Sequence, residues 1–272
     1  MLVIGMLELW QLTWVIAIAG GLLSFRSSFC RGFVLQGKMR LLLPSHNFPA
    51  CHHCCYLDAG YRSLLAGYAS GAIRTALAHP SAGLEGHGII LIQPHTIAFL
   101  TLFSVHTTRR FLESLLVTEF GDARMHACST YHYIATVLSV LFDPDSITVH
   151  ELTVSRLAMA GLGVVLFIIA SYHQTRCNYL LAKQKRANNM KHVIPRGDWF
   201  EAVRSPLYTT EIMLYAGFIL VSGCTATMLY LVSAWVVVNQ VLLAQISSQW
   251  VEDKFRDRIN ELPKWKLLPY VW

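Results

Sequence analysis

Residues 212–246 read IMLYAGFILVSGCTATMLYLVSAWVVVNQVLLAQI, 35 positions without one acidic or basic side chain. A single helix crosses the ~30 Å hydrocarbon core of a bilayer with about 20 residues. The stretch is therefore long for one span and suited to two short ones, folded back at Ser222–Gly223. Working upstream, apolar runs recur at Val154 to Tyr172, Met125 to Phe142 and Gly88 to Val105. Leu2 to Leu23 is apolar apart from Glu8 and Gln11. It has no basic region before it and no small-residue cleavage site after it, so it reads as an uncleaved first span. A less apolar candidate, YRSLLAGYASGAIRTALAHP at 61–80, contains Arg62 and Arg74.

The composition agrees with lipid as the solvent. The 272 residues are 54% hydrophobic and 14% charged, with a mean hydropathy of +0.44. Soluble domains carry about 25% charged residues, because a wet surface needs them. The net charge of +6 would point a soluble protein toward nucleic acid. Here the cations cluster between apolar blocks, as the positive-inside rule describes, and no nucleic-acid partner is expected. A basic cytosolic face also suits a phosphate-bearing cofactor or anionic headgroups.

Charge parity sets the number of spans. Three segments are basic: 26–40, 174–208 and 252–266. Two connectors have no Lys or Arg: 80–87, with Glu85, and 143–152, with Asp143, Asp145 and Glu151. Counting 61–80 as a span gives seven, with every basic segment on one side and both acidic connectors on the other. The expectation is an all-α membrane protein of about seven transmembrane helices, with the basic face cytosolic.

The seven cysteines lack the spacing of a disulfide framework. Cys51, Cys54 and Cys55 with His52 and His53 are zinc-ligand types without a second paired arm. Reduced thiols are the simpler reading, and no metal is expected. The Gly161-Leu162-Gly163 triplet lies inside an apolar run and reads as a helix-packing site.

Three polar patches can carry chemistry. The first, VHTTRRFLESL, places His106, Arg110 and Glu113 on one helical face by their spacing of four and three. It is either a functional face or an interfacial anchor with Arg110 and Glu113 paired. The second, SYHQTRCNYLLAKQKR, has His173, Gln174 and Arg176 at the end of a span, with Lys183, Lys185 and Arg186 continuing into a loop. A stop signal explains the last three, whereas polar groups such as His173 and Gln174 at a span end face protein or water. The third, HVIPRGDWFEAVRSPLYTTEIMLY, is interrupted by Pro195, Gly197 and Pro206 and holds Asp198, Glu201, Arg204, Ser205, Tyr208 and Glu211. Glu211 opens an apolar run, so it is either a capping carboxylate or a functional group at the membrane boundary. No G-x-G-x-x-G or P-loop motif accompanies them.

These patches, in this order, resemble the steroid 5α-reductase family, and more closely its polyprenol reductase branch. The resemblance runs through HTTRRFLESLLVTEFGDARMH, YHQTRCNYLLAKQKR, HVIPRGDWFEAVRSPLYTTEIMLY and a terminal LPKWKLLPYVW, over roughly residues 100–272. It implies residues 1–99 as N-terminal membrane helices with a divergent loop at 41–87, and 100–272 as a catalytic, NADPH-binding region. It implies a seven-span bundle in the endoplasmic reticulum membrane. The implied reaction is NADPH-dependent saturation of the α-isoprene unit of a polyisoprenoid lipid, through the aldehyde, in the making of dolichol for N-glycosylation. Arg110 matches a family arginine near the cofactor, and Gln174, Lys185, Asp198, Ser205, Tyr208 and Glu211 fall in stretches that wrap NADPH. His106, the titratable donor in the helical half, is the candidate for polarising the substrate, and Glu211 is the second catalytic candidate. Thr107 stands where steroid-reducing members place a tyrosine donor, and Ser248 stands where the polyprenol branch typically has a histidine. A steroid or enoyl-CoA reductase on the same fold, and a lipid-binding protein without catalysis, are the other readings.

Overall fold

The computed structural model describes residues 11–19, 22–23, 93–118, 128–141, 143 and 153–272. Five helices carry most of them: α1 Pro94–Leu116, α2 Cys128–Leu141, α3 Val154–Ala187, α4 Pro206–Val221 and α5 Thr227–Lys254. Short 3-10 turns cover Asp198–Glu201 and Arg256–Glu261, and residues 11–19 are helical. No strand occurs among the described residues, and Val203 and Trp265 form one isolated parallel bridge. The basic segment 26–40, the cysteine–histidine cluster, the candidate span at 61–80 and the connector 80–87 lie outside the described residues.

Among the described residues, two helices are long and apolar enough to cross a membrane, α3 and α5, and α4 is a shorter apolar helix. The exposed flank of α3 holds Leu157, Leu162, Val165, Ile168 and Ile169, each more than 40% exposed. An apolar stripe of that length without cover belongs against lipid rather than water. The protein is a helical membrane protein.

The long apolar run folds back where its length requires. α4 ends at Val221, and Gly223 and Cys224 adopt positive φ of 77° and 59°. α5 then returns from Thr227. By contrast, α3 does not stop at Tyr172. It continues through Lys183, Lys185 and Arg186 to Ala187, so these cations stand on a helix rather than in a loop. Leu180 to Ala187 are mostly straight-chain residues and alanines that favour helix. The helix ends at Asn188, and Asn189 and Met190 turn left-handed. At 34 residues, about 51 Å, α3 extends well past the hydrocarbon core.

Each end of the bundle is tied by its own polar contacts. Asp143, 3% exposed, accepts a hydrogen bond of 2.7 Å from the Met228 backbone N–H at the start of α5. A carboxylate there satisfies an orphan donor and faces the positive end of the helix dipole. At the other end the second and third basic segments meet directly: Arg196 lies 3.4 Å from Glu261, and the Arg204 N–H donates to the Trp265 carbonyl at 2.9 Å.

The core positions the site. Phe218 of α4 stands amid Phe99, Phe103, Phe167 and Tyr215, with centroids 5.5–5.8 Å away. α3 and α4 touch backbone to backbone at Gly163 and Gly217. A Cβ on Gly163 would lie 2.7 Å from the Gly217 carbonyl oxygen, so the triplet read as a packing site is one through Gly163. α1 runs unbroken through residues 99 and 100, its buried Phe99 and Phe103 belonging to this same core.

Candidate functional site

The buried face of α1 changes character along its length. Phe99 and Phe103 are followed by His106, Thr107 and Glu113, all buried and all on one stripe. On α3 the equivalent stripe runs Gly163, Phe167, Ala170, Gln174 and Asn178. Glu211 lies in the second turn of α4, beyond the first turn where a capping carboxylate belongs. The three helices bring His106, Gln174 and Glu211 together above the aromatic core.

Gln174, 2% exposed, is the hub. Its amide nitrogen donates to Glu211 Oε2 at 2.7 Å and approaches the Leu207 carbonyl at 3.4 Å. Its oxygen accepts from Arg109. These partners fix the amide, because a guanidinium only donates and a carboxylate only accepts. Arg109 also donates to Glu113 Oε1 at 2.6 Å and to Thr175 Oγ1 at 3.0 Å, and it contacts His106 Nδ1 at 3.1 Å. Glu113 accepts from Thr175 at 2.5 Å and from Arg110 at 2.6 Å. Arg110 therefore forms the pair read as an interfacial anchor, while its neighbour Arg109 enters the buried network.

His106 is fully buried, with its ring 6.2 Å from Phe103 and 6.1 Å from Phe218. Its Nε2 stands 3.5 Å from Glu211 Oε1 and has no hydrogen-bond partner among the described residues. Buried polar atoms are normally satisfied, so an orphan in such a place marks a position where something else can bind. Thr107 on the same turn is not such a donor. Its hydroxyl bonds the carbonyls of Phe103 and Ser104 at 3.0 and 3.1 Å.

The remaining sequence-read residues divide between neighbouring sites. Asp198 sits at φ 52° behind Gly197 at φ 93° and turns its carboxylate toward α3. One oxygen meets His173 Nδ1 at 2.7 Å and the Trp199 N–H at 2.8 Å, and the other meets Arg176 Nε at 2.9 Å. His173 stacks on Trp199 at 4.6 Å. Lys185 lies eleven residues beyond Gln174 on α3, about 16 Å along the axis, so it does not join the hub. Ser205 is the residue before α4, and its N–H donates to the Lys266 carbonyl at 3.1 Å. The Tyr208 hydroxyl is 3.3 Å from Ser247 on α5.

Arg204 ties the C-terminal stretch to this end of the bundle. Its Nε donates to the Pro263 carbonyl at 2.7 Å, and its Nη1 bonds Ser248 Oγ at 3.1 Å and Glu252. Thr209 extends the tie to the Leu267 carbonyl at 2.6 Å. Outside the spans, two hydrogen bonds from Arg258 hold the Glu261 carboxyl below the usual carboxylate range.

Arg109 and Arg204 stand in the first and third polar patches without a role of their own from sequence, and Thr175 is not named there. Arg109 had a signal, being three residues from His106 and four from Glu113, both face-sharing spacings. Thr175 had none beyond its polarity, and Arg204 had only its place in the third patch.

Residues 125–272 match the family model described as 3-oxo-5-alpha-steroid 4-dehydrogenase. The chain is 30% identical over 172 residues to a polyprenal reductase of Xenopus tropicalis, covering 58% of this chain and 56% of that one. It is 33% identical over 174 residues to the polyprenal reductase of Danio rerio, covering 59% and 56%. For the polyprenal reductase of Homo sapiens the figures are 31% over 190 residues, 64% and 59%. The chain thus spans a little over half the length of the curated relatives it matches. With more than half of its residues inside the family model, and with the three polar patches converging in space, the chain belongs to the 3-oxo-5-alpha-steroid 4-dehydrogenase (steroid 5α-reductase) family.

Proposed function

We propose that the protein is an NADPH-dependent polyprenal reductase of the endoplasmic reticulum membrane, saturating the α-isoprene double bond of a polyisoprenoid aldehyde on the way to dolichol. The observation that carries this reading is the buried, unsatisfied His106 Nε2 beside Glu211, roofing an aromatic wall of Phe103 and Phe218. Similarity to three polyprenal reductases supports the substrate class.

The residues suit a nicotinamide dinucleotide. Arg110 and Arg176 keep 32% and 54% of their side chains exposed at this end, as cations meeting phosphates must. Lys185 adds a cation further along α3. Gln174, its amide already bonded to Glu211, Leu207 and Arg109, would hold the wall of the nicotinamide site in place rather than bond the carboxamide. Ser205 and Tyr208 line the start of α4, and Asp198 shapes the same region through His173 and Arg176. NADPH, when bound, supplies the hydride that adds to the β-carbon of the unsaturated aldehyde.

The rest is the work of the protein's own groups. Hydride addition to the β-carbon builds negative charge on the aldehyde oxygen, and a preorganised donor in a dry site stabilises that charge most. His106 supplies it, held by the network below and screened from water by the phenylalanines. Glu211 keeps the Gln174 amide oriented. The exposed apolar flank of α3 suits an isoprenoid chain lying in the bilayer. Thr107, spent on backbone carbonyls, leaves His106 as the donor on its turn and argues against a steroid substrate read by a tyrosine.

Microsomes containing the chain should convert polyprenal to dolichal on addition of NADPH. Absence of NADPH-dependent conversion, with the protein present and folded, removes the reading.

A further inference from the structure

Resting on the assignment of His106 as the oxygen-polarising donor, we propose that Arg109 is a positioning residue that decides which nitrogen of His106 carries the proton. A guanidinium has donors and no acceptor. Arg109 Nη2 lies 3.1 Å from His106 Nδ1, so Nδ1 accepts and the neutral ring carries its hydrogen on Nε2. That nitrogen is the orphan, 3.5 Å from Glu211 Oε1. The opposite tautomer sets N–H against N–H at Nδ1 and a lone pair toward a carboxylate at Nε2, so both contacts oppose it. A 180° ring flip offers no escape, because it sets ring carbons where Nδ1 meets Arg109 and Nε2 faces Glu211 and so loses both contacts.

Arg109 is itself held from two helices. Nη1 bonds Glu113 on α1 at 2.6 Å and Thr175 on α3 at 3.0 Å, and Nη2 also donates to the Gln174 oxygen. One planar fork thus serves Glu113 and Thr175 with one nitrogen, and His106 and Gln174 with the other. The point charge of a lysine cannot repeat that geometry. Docking α1 on α3 therefore places a hydrogen on the nitrogen that meets the substrate oxygen. The neighbouring Arg110 cannot take this part, since its Nη1 is directed to the far oxygen of Glu113.

The test uses the full chain in lipid nanodiscs with 15N-labelled histidine. The His106 signals are identified by their loss in His106→Gln, and protonated and bare ring nitrogens resonate far apart. The expected spectrum has His106 protonated at Nε2 and bare at Nδ1. Arg109→Met should populate both tautomers and lower kcat on polyprenal about tenfold with little change in KM, the pattern of a lost transition-state contact. Arg109→Lys, still a donor, should keep the tautomer and recover part of kcat. A hydrogen on Nδ1 in the unmodified chain, or an unchanged tautomer in Arg109→Met, overturns the proposal. If Arg109→Met does not fold, Glu211→Gln decides: with the carboxylate gone, Arg109 alone should still keep the hydrogen on Nε2, and a hydrogen on Nδ1 there overturns the proposal. Nε2 protonation without any polyprenal turnover sustains the Arg109 assignment and retires the substrate reading instead.

Discussion

The clusters around His106 and Arg204 close the same end of the helix bundle and are built in opposite ways. Arg204 is spent on its neighbours: its Nε meets Pro263, its Nη1 meets Ser248 and Glu252, and its backbone N–H meets Trp265. The His106 cluster is as densely bonded but unfinished, with His106 Nε2 and Arg109 Nε buried without hydrogen-bond partners among the described residues. A satisfied buried network specifies a structure, whereas a gap in one costs free energy on folding and persists where binding fills it. Under the proposed function, Arg204 is architecture and His106 is chemistry. That division is breakable, because removal of each should move a different observable.

The largest expected effect is on catalysis. His106→Ala should lower kcat on polyprenal by about 10²–10³, the cost of removing one oxyanion donor. The thermal midpoint in detergent should fall by only a few degrees, since truncating the fully buried ring leaves a cavity and takes one partner from Arg109. Turnover and melting measured on the same preparation decide. Retained turnover ends the role of His106, and a collapsed midpoint places it with Arg204 as architecture.

Arg204→Ala should show the reverse. The guanidinium is 14% exposed, and it joins α5 to the C-terminal stretch. Losing charge-assisted bonds to Glu252, Ser248 and Pro263 should cost about 3 kcal/mol of stability. Turnover per folded molecule should remain within a few-fold at low temperature. Proteolysis should then cut first within 255–267, where the tie is lost. A stable protein with no turnover inverts the comparison.

Gly163→Ala touches neither cluster and tests the frame that both share. Its new methyl meets the Gly217 carbonyl at 2.7 Å and Val221 Cγ2 at 2.8 Å, so α3 and α4 must separate. Overpacking of this kind costs about 2 kcal/mol. Gln174 and Glu211 ride on those two helices, so kcat should fall along with stability. Unchanged stability indicates that the crossing is loose.

The sequence foretold these regions unevenly, for physical reasons. The fold-back near Ser222 and Gly223 was legible because 35 apolar residues exceed what one span needs. Gly163 was legible because small residues inside an apolar run have few uses besides close packing. Gln174 and Glu211 stood out as polar groups where lipid begins, and the structure joins them at 2.7 Å. Sequence does not separate Arg109 from Arg110, because spacings of three and four both share a face. Only the position of Gln174 and Thr175 across the groove separates them. The inward turn of Asp198 depends on left-handed backbone at two successive residues and on His173, twenty-five positions earlier. Lys185 looked like a loop cation because a stop signal and a helix extension have the same composition.

Ser248→Ala has the smallest expected effect and makes the sharpest distinction. The hydroxyl is 1% exposed, and it accepts one bond from Arg204 at 3.1 Å. Arg204 keeps Glu252 and Pro263 when that bond is lost, so the cost should be about 1 kcal/mol. The thermal midpoint should drop slightly, and kcat and the KM for NADPH should both stay within twofold. By resemblance this position holds a histidine in polyprenol reductases, which makes a cofactor contact the rival account. A several-fold rise in the KM for NADPH with an unchanged midpoint moves Ser248 out of the Arg204 tie and into the cofactor's surroundings. The boundary between architecture and chemistry then runs through α5, rather than between the two clusters.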